Sequence, residues 1–139
     1  MFRQKIKNVK ETIGRIKTML ESRPFDSVYF VACGGSRATM NPGKYILERE
    51  TDKVTVDIYT ANEFVHTPPK RFTQNSVVVL NSYSGTTAET VEACRIAKEK
   101  GARTIAFSMF PDKAIGIADE VVFYEDEPSN PPPTFLTIF

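Results

Sequence analysis

With 139 residues, 41% of them hydrophobic and 25% charged, the chain has the composition of one soluble globular domain, long enough to bury a core without disulfides or metals. A formal net charge of +1 offers nothing to nucleic acid or to an anionic membrane surface, and neither is expected as a partner. Cys33 and Cys94 belong to no CxxC pair or Cys/His cluster, so no metal site is expected, and both read as buried free thiols in a reducing compartment.

Ile6, Val9, Ile13, Ile16 and Leu20 recur at steps of three and four, which predicts one apolar stripe along a helix over residues 2–22. This N-terminal unit, residues 1–24, must pack on the domain or on a partner. It carries lysines and arginines but no continuous apolar run, so neither a signal peptide nor a membrane span is expected, and a cytoplasmic location is. Arg23-Pro24 ends the helix. The nearly continuous apolar run 27-SVYFVAC-33 then reads as a parallel strand covered on both faces, and the pattern returns at 53–59, 76–82, 103–108 and 120–124.

Helical segments fall between them at 36–50, 62–66, 86–100 and 113–118. Alternation of strand and helix predicts an α/β domain over residues 25–125, with a mainly parallel sheet and right-handed crossovers. Pro42-Gly43 predicts a kink near Asn41, and Gly101 suits the position just after a helix end, where a left-handed residue is needed. Residues 126–139 form a Pro-rich tail ending in an apolar cluster of Phe135, Leu136, Ile138 and Phe139. Such an ending implies either a partner surface or the start of a second half cut short.

In an open parallel sheet the ligand crevice lies beyond the carboxyl ends of the strands. Two loops qualify. In 33-CGGSRA-38, Gly34 and Gly35 permit a tight turn and Ser36 can open the next helix as its cap; in 81-NSYSGTTAET-90, Ser82, Ser84, Thr86 and Thr87 supply hydroxyls around Gly85. Both lead into helix N-termini, where unpaired amides and the helix dipole favour an anion. The competing reading of the second loop is a capping box formed by Thr86 and Glu89. A P-loop and a dinucleotide fingerprint are both absent, which turns the expectation toward a small phosphorylated metabolite and away from a nucleotide cofactor.

The stretches 30-FVACGGSRA-38, 79-VLNSYSGTTAET-90 and 101-GARTIAFS-108, in this order and spacing, resemble the sugar isomerase (SIS) domain family. The resemblance implies a flavodoxin-like three-layer sandwich with a five-stranded parallel sheet. It also implies a phosphosugar grip made by Ser82, Tyr83, Ser84 and Thr87 with Ser36 from the first loop, shaped by the backbone of Gly34, Gly35, Gly85 and Thr86. Gly35 stands where many relatives carry a hydroxyl. The segments 59-YTANEFVHTPP-69 and Cys33-Gly34-Gly35-Ser36 bring the likeness nearest to the first domain of fructosamine 6-phosphate deglycases and related phosphosugar isomerases. Those proteins carry two SIS domains in one chain, with the principal acid/base residues largely in the second.

Proton transfer between C1 and C2 of a sugar, or hydrolysis of a sugar-amine 6-phosphate adduct, needs a base of tuned pKa. Glu63 and His66 are the candidates, three residues apart on one helical face; local capping by Glu63 and a surface His66 are the structural alternative. Arg37 either adds charge to a phosphate or points to solvent. The expected function is therefore a sugar-phosphate isomerase or deglycase, with no cofactor and as a homodimer or higher oligomer; the alternative is a non-catalytic sugar-phosphate sensor.

Overall fold

In the computed structural model, which describes residues 5–6 and 8–125, apolar strands and amphipathic helices alternate as expected. The strands are β1 (Lys5–Ile6), β2 (Ser27–Ala32), β3 (Thr55–Thr60), β4 (Ser76–Asn81), β5 (Arg103–Ser108) and β6 (Glu120–Glu125). The helices are α1 (Val9–Glu21), α2 (Gly34–Ala38), α3 (Asn41–Glu50), α4 (Ala61–His66) and α5 (Ala88–Glu99), with a short 3-10 helix at Ala114–Ile117.

Every residue of β2 is buried, as a central strand covered on both faces requires. The sheet order is β1-β6-β5-β4-β2-β3, and β3, β2, β4, β5 and β6 all run parallel. The chain enters this parallel sheet at β2, moves outward to β3, then crosses back to β4. Strand order therefore reverses between β2 and β4, and the crevice beyond their carboxyl ends is where an α/β fold of this type binds ligands.

Side chains alternate across the sheet with the period of a pleated strand. Val28, Phe30 and Ala32 of β2 join Met40, Val77 and Ile105 in the layer that Ile16, Leu20 and Leu47 of α1 and α3 cover. Tyr29 and Val31 face the opposite layer, packed with Phe64, Phe72, Leu80, Cys94 and Ala97 against α4 and α5. This is the three-layer sandwich. Among the described residues no helix is long and apolar enough to cross a membrane.

Three local expectations are corrected. The N-terminal helix begins at Val9, because Asn8 adopts a left-handed conformation (φ 53°), which asparagine tolerates better than most residues, and ends any continuation backwards. Lys5–Ile6 instead pairs antiparallel with the edge strand β6, adding a sixth strand to the five parallel ones. Along α1, Ile16 and Leu20 reach the sheet layer while Val9 and Ile13 stay exposed, so the stripe is only partly core. The expected kinked helix over 36–50 is two helices, with Pro42 in the first turn of α3, where a missing amide costs nothing. The tail at 126–139 lies outside the described residues.

Gly101 behaves as expected. At φ 86° it follows α5, its amide donating to Lys98 O and that of Ala102 to Ala97 O, the paired bonds of a Schellman ending.

The amino edge of the sheet is closed by two polar clusters. Buried Arg103 donates to the carbonyls of Met19, Leu20 and Arg23 at 2.9–3.0 Å and of Pro24 at 3.3 Å, satisfying the end of α1 and its exit. Asp119 Oδ2 accepts from the Thr104 amide at 2.8 Å and hydroxyl at 3.1 Å, the Asp119 amide returns a bond to Thr104 Oγ1 at 2.9 Å, and Lys98 reaches Oδ1 at 2.9 Å. This gives Asp119, just before the last strand, a structural reason.

Candidate functional site

The two loops expected to bind a ligand follow β2 and β4, on either side of the strand-order reversal. In the first, Cys33 is the extended residue preceding α2 and Gly34 turns at φ 51°. Ser36 is accordingly inside the first turn of α2 and not its cap. Its hydroxyl makes no hydrogen bond among the described residues, while its carbonyl accepts from Thr39 Oγ1 at 2.7 Å and Asn81 Nδ2 at 3.3 Å.

The second loop is tied down by backbone. The Ser82 amide donates to Phe107 O at 3.0 Å, extending the β4–β5 pairing by one step, and the Gly85 amide closes a turn onto Ser82 O at 3.1 Å. The Tyr83 carbonyl accepts from the Met109 amide at 3.3 Å and the Gly85 carbonyl from the Ile115 amide at 2.9 Å. Gly85 sits at φ 71°, and a Cβ there would lie 2.6 Å from Phe110 O. Only glycine fits this close approach.

These anchors leave the hydroxyls gathered at the start of α5. Ser82 Oγ donates to Thr87 Oγ1 at 3.2 Å, and Ser84 Oγ accepts from the Thr86 amide at 3.3 Å and hydroxyl at 3.1 Å. The N-cap of α5 is Thr87, with no side-chain capping bond, so the box expected of Thr86 and Glu89 does not form. The Thr86 hydroxyl donates to Ser84 instead, and Thr87 Oγ1 accepts from Ser82. The first helical bond runs from the Val91 amide to Thr87 O at 2.9 Å, so the preceding amides of the first turn have no side-chain partner. An anion is the group such a helix start takes.

Ser82 is buried, while Ser84, Tyr83 and Thr87 are partly exposed, as groups that hold a ligand at the surface of a crevice need to be. Cys33, expected to be buried, is only half-buried; it lies against α5, accepting from the Thr90 hydroxyl at 3.8 Å. Arg37 Nε is buried without an acceptor among the described residues.

The catalytic candidates lie on α4, which packs against α5. Glu63 and His66 are both exposed on α4, whose N-cap Thr60 accepts from the Glu63 amide at 3.2 Å. No hydrogen bond links either side chain to the loops among the described residues. Sequence reasoning passed over Asn81, which is 1% exposed and donates from Nδ2 to Thr39 Oγ1 at 3.1 Å as well as to Ser36 O. It passed over Ser108, whose hydroxyl accepts from the Phe110 amide at 3.0 Å below the loop. The signal available was the same in both: a polar residue closing an otherwise apolar strand.

Residues 23–134 match the SIS domain. Fructosamine deglycase FrlB of Bacillus subtilis is 45% identical over 96 residues, which cover 69% of this chain and 29% of FrlB. A glutamine–fructose-6-phosphate aminotransferase (isomerizing) of Clostridium acetobutylicum is 34% identical over 99 residues, 71% of this chain and 16% of the relative. The crystal structure of a candidate phosphosugar isomerase from Bacillus subtilis superposes with a TM-score of 0.81 at 38% identity, covering 86% of this chain and 37% of that one. The chain thus spans a minor part of the length of these relatives. By sequence and by fold it belongs to the SIS domain family.

Proposed function

We propose that this chain is the phosphosugar-binding unit of a sugar-phosphate isomerase or fructosamine 6-phosphate deglycase. The observation that carries the reading is the start of α5: an uncapped helix N-terminus ringed by the hydroxyls of Ser82, Ser84, Thr86 and Thr87 at the strand-order reversal. A phosphate dianion there accepts from first-turn amides and from Ser84 and Thr87, with Ser36 and Tyr83 adding donors from the sides. Neutral hydroxyls around a helix dipole hold a phosphate without a metal or a lysine. The names of FrlB and of the aminotransferase, which speak of a fructosamine and a fructose 6-phosphate, support a phosphorylated ketose or its amine adduct as the ligand class.

In this reading the phosphate fixes the sugar so that C1 and C2 reach a base, and the binding energy of the remote phosphate is used for that positioning. Glu63 and His66 are the proton-transfer groups this chain can offer, and a carboxylate or imidazole on a further SIS unit is the competing source. The exposure of both side chains on α4 favours a second reading, in which this chain binds the sugar phosphate as a sensor and performs no chemistry.

The experiment is a thermal-shift titration with fructose 6-phosphate. Ligand at about a hundred times its Kd stabilises a folded protein by about 2.7 kcal/mol. The double variant Ser84→Ala/Thr87→Ala should lose that stabilisation; equal stabilisation of variant and parent overturns the phosphate grip. Exchange of the C2 proton in deuterated buffer then separates the two readings. Exchange that Glu63→Gln or His66→Asn abolishes places the base in this chain, and binding without exchange supports the sensor.

A further inference from the structure

Asn81 spans the carboxyl end of the strand-order reversal with two side-chain hydrogen bonds, beside the weaker Thr90–Cys33 contact at 3.8 Å. It ends β4, immediately before the hydroxyl loop, and its amide nitrogen reaches across to Ser36 O and Thr39 Oγ1 of the loop after β2. The orientation of the amide is fixed by its partner, because the Ser36 carbonyl can only accept. Thr39 Oγ1 meanwhile donates to the same carbonyl at 2.7 Å, so Asn81, Thr39 and Ser36 form a closed set of three contacts. Thr39 is 2% exposed and Asn81 1%, and their bonds are shielded from competing water.

A side chain placed only to fill this corner would be apolar, like its neighbours Val79 and Leu80. Asn81 instead leaves Oδ1 buried without a donor among the described residues, a cost that an apolar residue avoids. What the asparagine provides in return is a fixed distance between the two loops. Ser36 is the only hydroxyl of the proposed grip that lies outside residues 82–87. Its backbone is held by Asn81 on one side, while its own hydroxyl is unengaged.

We propose that Asn81, acting with Thr39, is a positioning residue that couples the two arms of the grip, holding Ser36 against the phosphate site built by residues 82–87. The proposal rests on the phosphosugar reading above. Asn81 touches no ligand in this role; it acts through Ser36.

The test uses the full 139-residue chain and calorimetric titration with fructose 6-phosphate, far below the unfolding temperature. Asn81→Asp and Thr39→Val alter hydrogen bonding at nearly constant volume, and each should weaken binding roughly tenfold, the effect of one hydrogen bond. Thr39→Ser, which keeps the hydroxyl, should restore it. In a Ser36→Ala background Asn81→Asp should add little further loss, whereas in a Ser84→Ala background it should keep its full effect. Additive losses with Ser36→Ala, or unchanged affinity in Thr39→Val, overturn the coupling, because a purely structural residue gives one or the other. Should Ser84→Ala/Thr87→Ala bind as tightly as the parent, the phosphate reading itself has failed, and the coupling falls with it. If Asn81→Asp does not fold, the Thr39→Val and Thr39→Ser pair decides alone.

Discussion

At the amino edge of the sheet, Thr104 and Asp119 exchange three hydrogen bonds at 2.8–3.1 Å and Arg103 donates to four backbone carbonyls, whereas at the carboxyl edge the Ser36 and Tyr83 hydroxyls have no partner among the described residues and α5 starts without a side-chain cap. Both edges draw on threonine, arginine and a helix terminus. The difference is whether those groups satisfy one another. A polar cluster that closes on itself contributes to stability, and one that is held in place but left open is prepared for a ligand. Arg103 Nε is an exception at the amino edge, buried without an acceptor among the described residues.

Substitutions at the two edges should therefore separate stability from binding, and Gly85 should give the largest change. Alanine there combines a positive φ of 71° with a Cβ 2.6 Å from the Phe110 carbonyl. Left-handed strain and overpacking together predict a loss of about 4 kcal/mol by urea denaturation, along with ligand binding. Gly101→Ala at the amino edge meets Gln74 at ordinary contact distances, Cβ at 3.4 Å and Cα at 4.0 Å, and should cost about 1 kcal/mol, from the positive φ alone. Similar losses at both glycines would break the contrast.

Arg103→Leu comes next. Removing the donor to the end of α1 should lower stability by about 2–3 kcal/mol while fructose 6-phosphate binding at the far edge is unchanged. Asp119→Ala should cost about 1–2 kcal/mol, because it strands the buried Thr104 amide. Its effect depends on pH. Burial pushes the Asp119 carboxyl up, but bonds from Lys98 and from the Thr104 amide and hydroxyl outweigh it and hold the group below its ordinary value. A carboxyl lowered by folding stabilises fully above its unfolded pKa, near pH 4, and loses that contribution as pH falls through the folded value. Denaturation series run from neutral pH downward should thus show the gap between parent and Asp119→Ala narrowing as the carboxyl protonates below its unfolded pKa. A gap that does not narrow as pH falls contradicts the assignment.

How much of this was legible in the sequence follows from the range of the interactions. β5 matches its expected residues 103–108 because an apolar run between a helix-ending Gly101 and a turn is a local signal. The hydroxyl loop was legible for the same reason. β1 was not, since its partner β6 lies at the other end of the chain and the two-residue pairing leaves no periodicity. The capping box failed because α5 takes Thr87 and not Thr86 as its N-cap, and the Thr86 hydroxyl turns back to Ser84. Asn81 shows the limit most clearly. Its chemistry is visible at the end of an apolar strand, but its partners Ser36 and Thr39 become neighbours only through the crossover from β3 back to β4. For Glu63 and His66 the sequence suggested a shared helical face, and the fold adds that both are exposed.

The two cysteines sample the contrast with the smallest perturbation. Cys94 is fully buried in α5, and burial pushes its thiol up to about 11. At pH 8 only about one molecule in a thousand carries a Cys94 thiolate, and the native packing also excludes reagents from it. Cys33, half-buried at the mouth of the first loop, meets solvent beside the proposed grip. Iodoacetamide should modify one thiol in the native protein and two after unfolding, with Cys33 identified by peptide mass. Because Cys33 neighbours Gly34 and the loop that carries Ser36, fructose 6-phosphate should slow its modification. Cys94 reacting first would show that the α5 layer opens more readily than the carboxyl edge, reversing the order that the packing of the two thiols predicts.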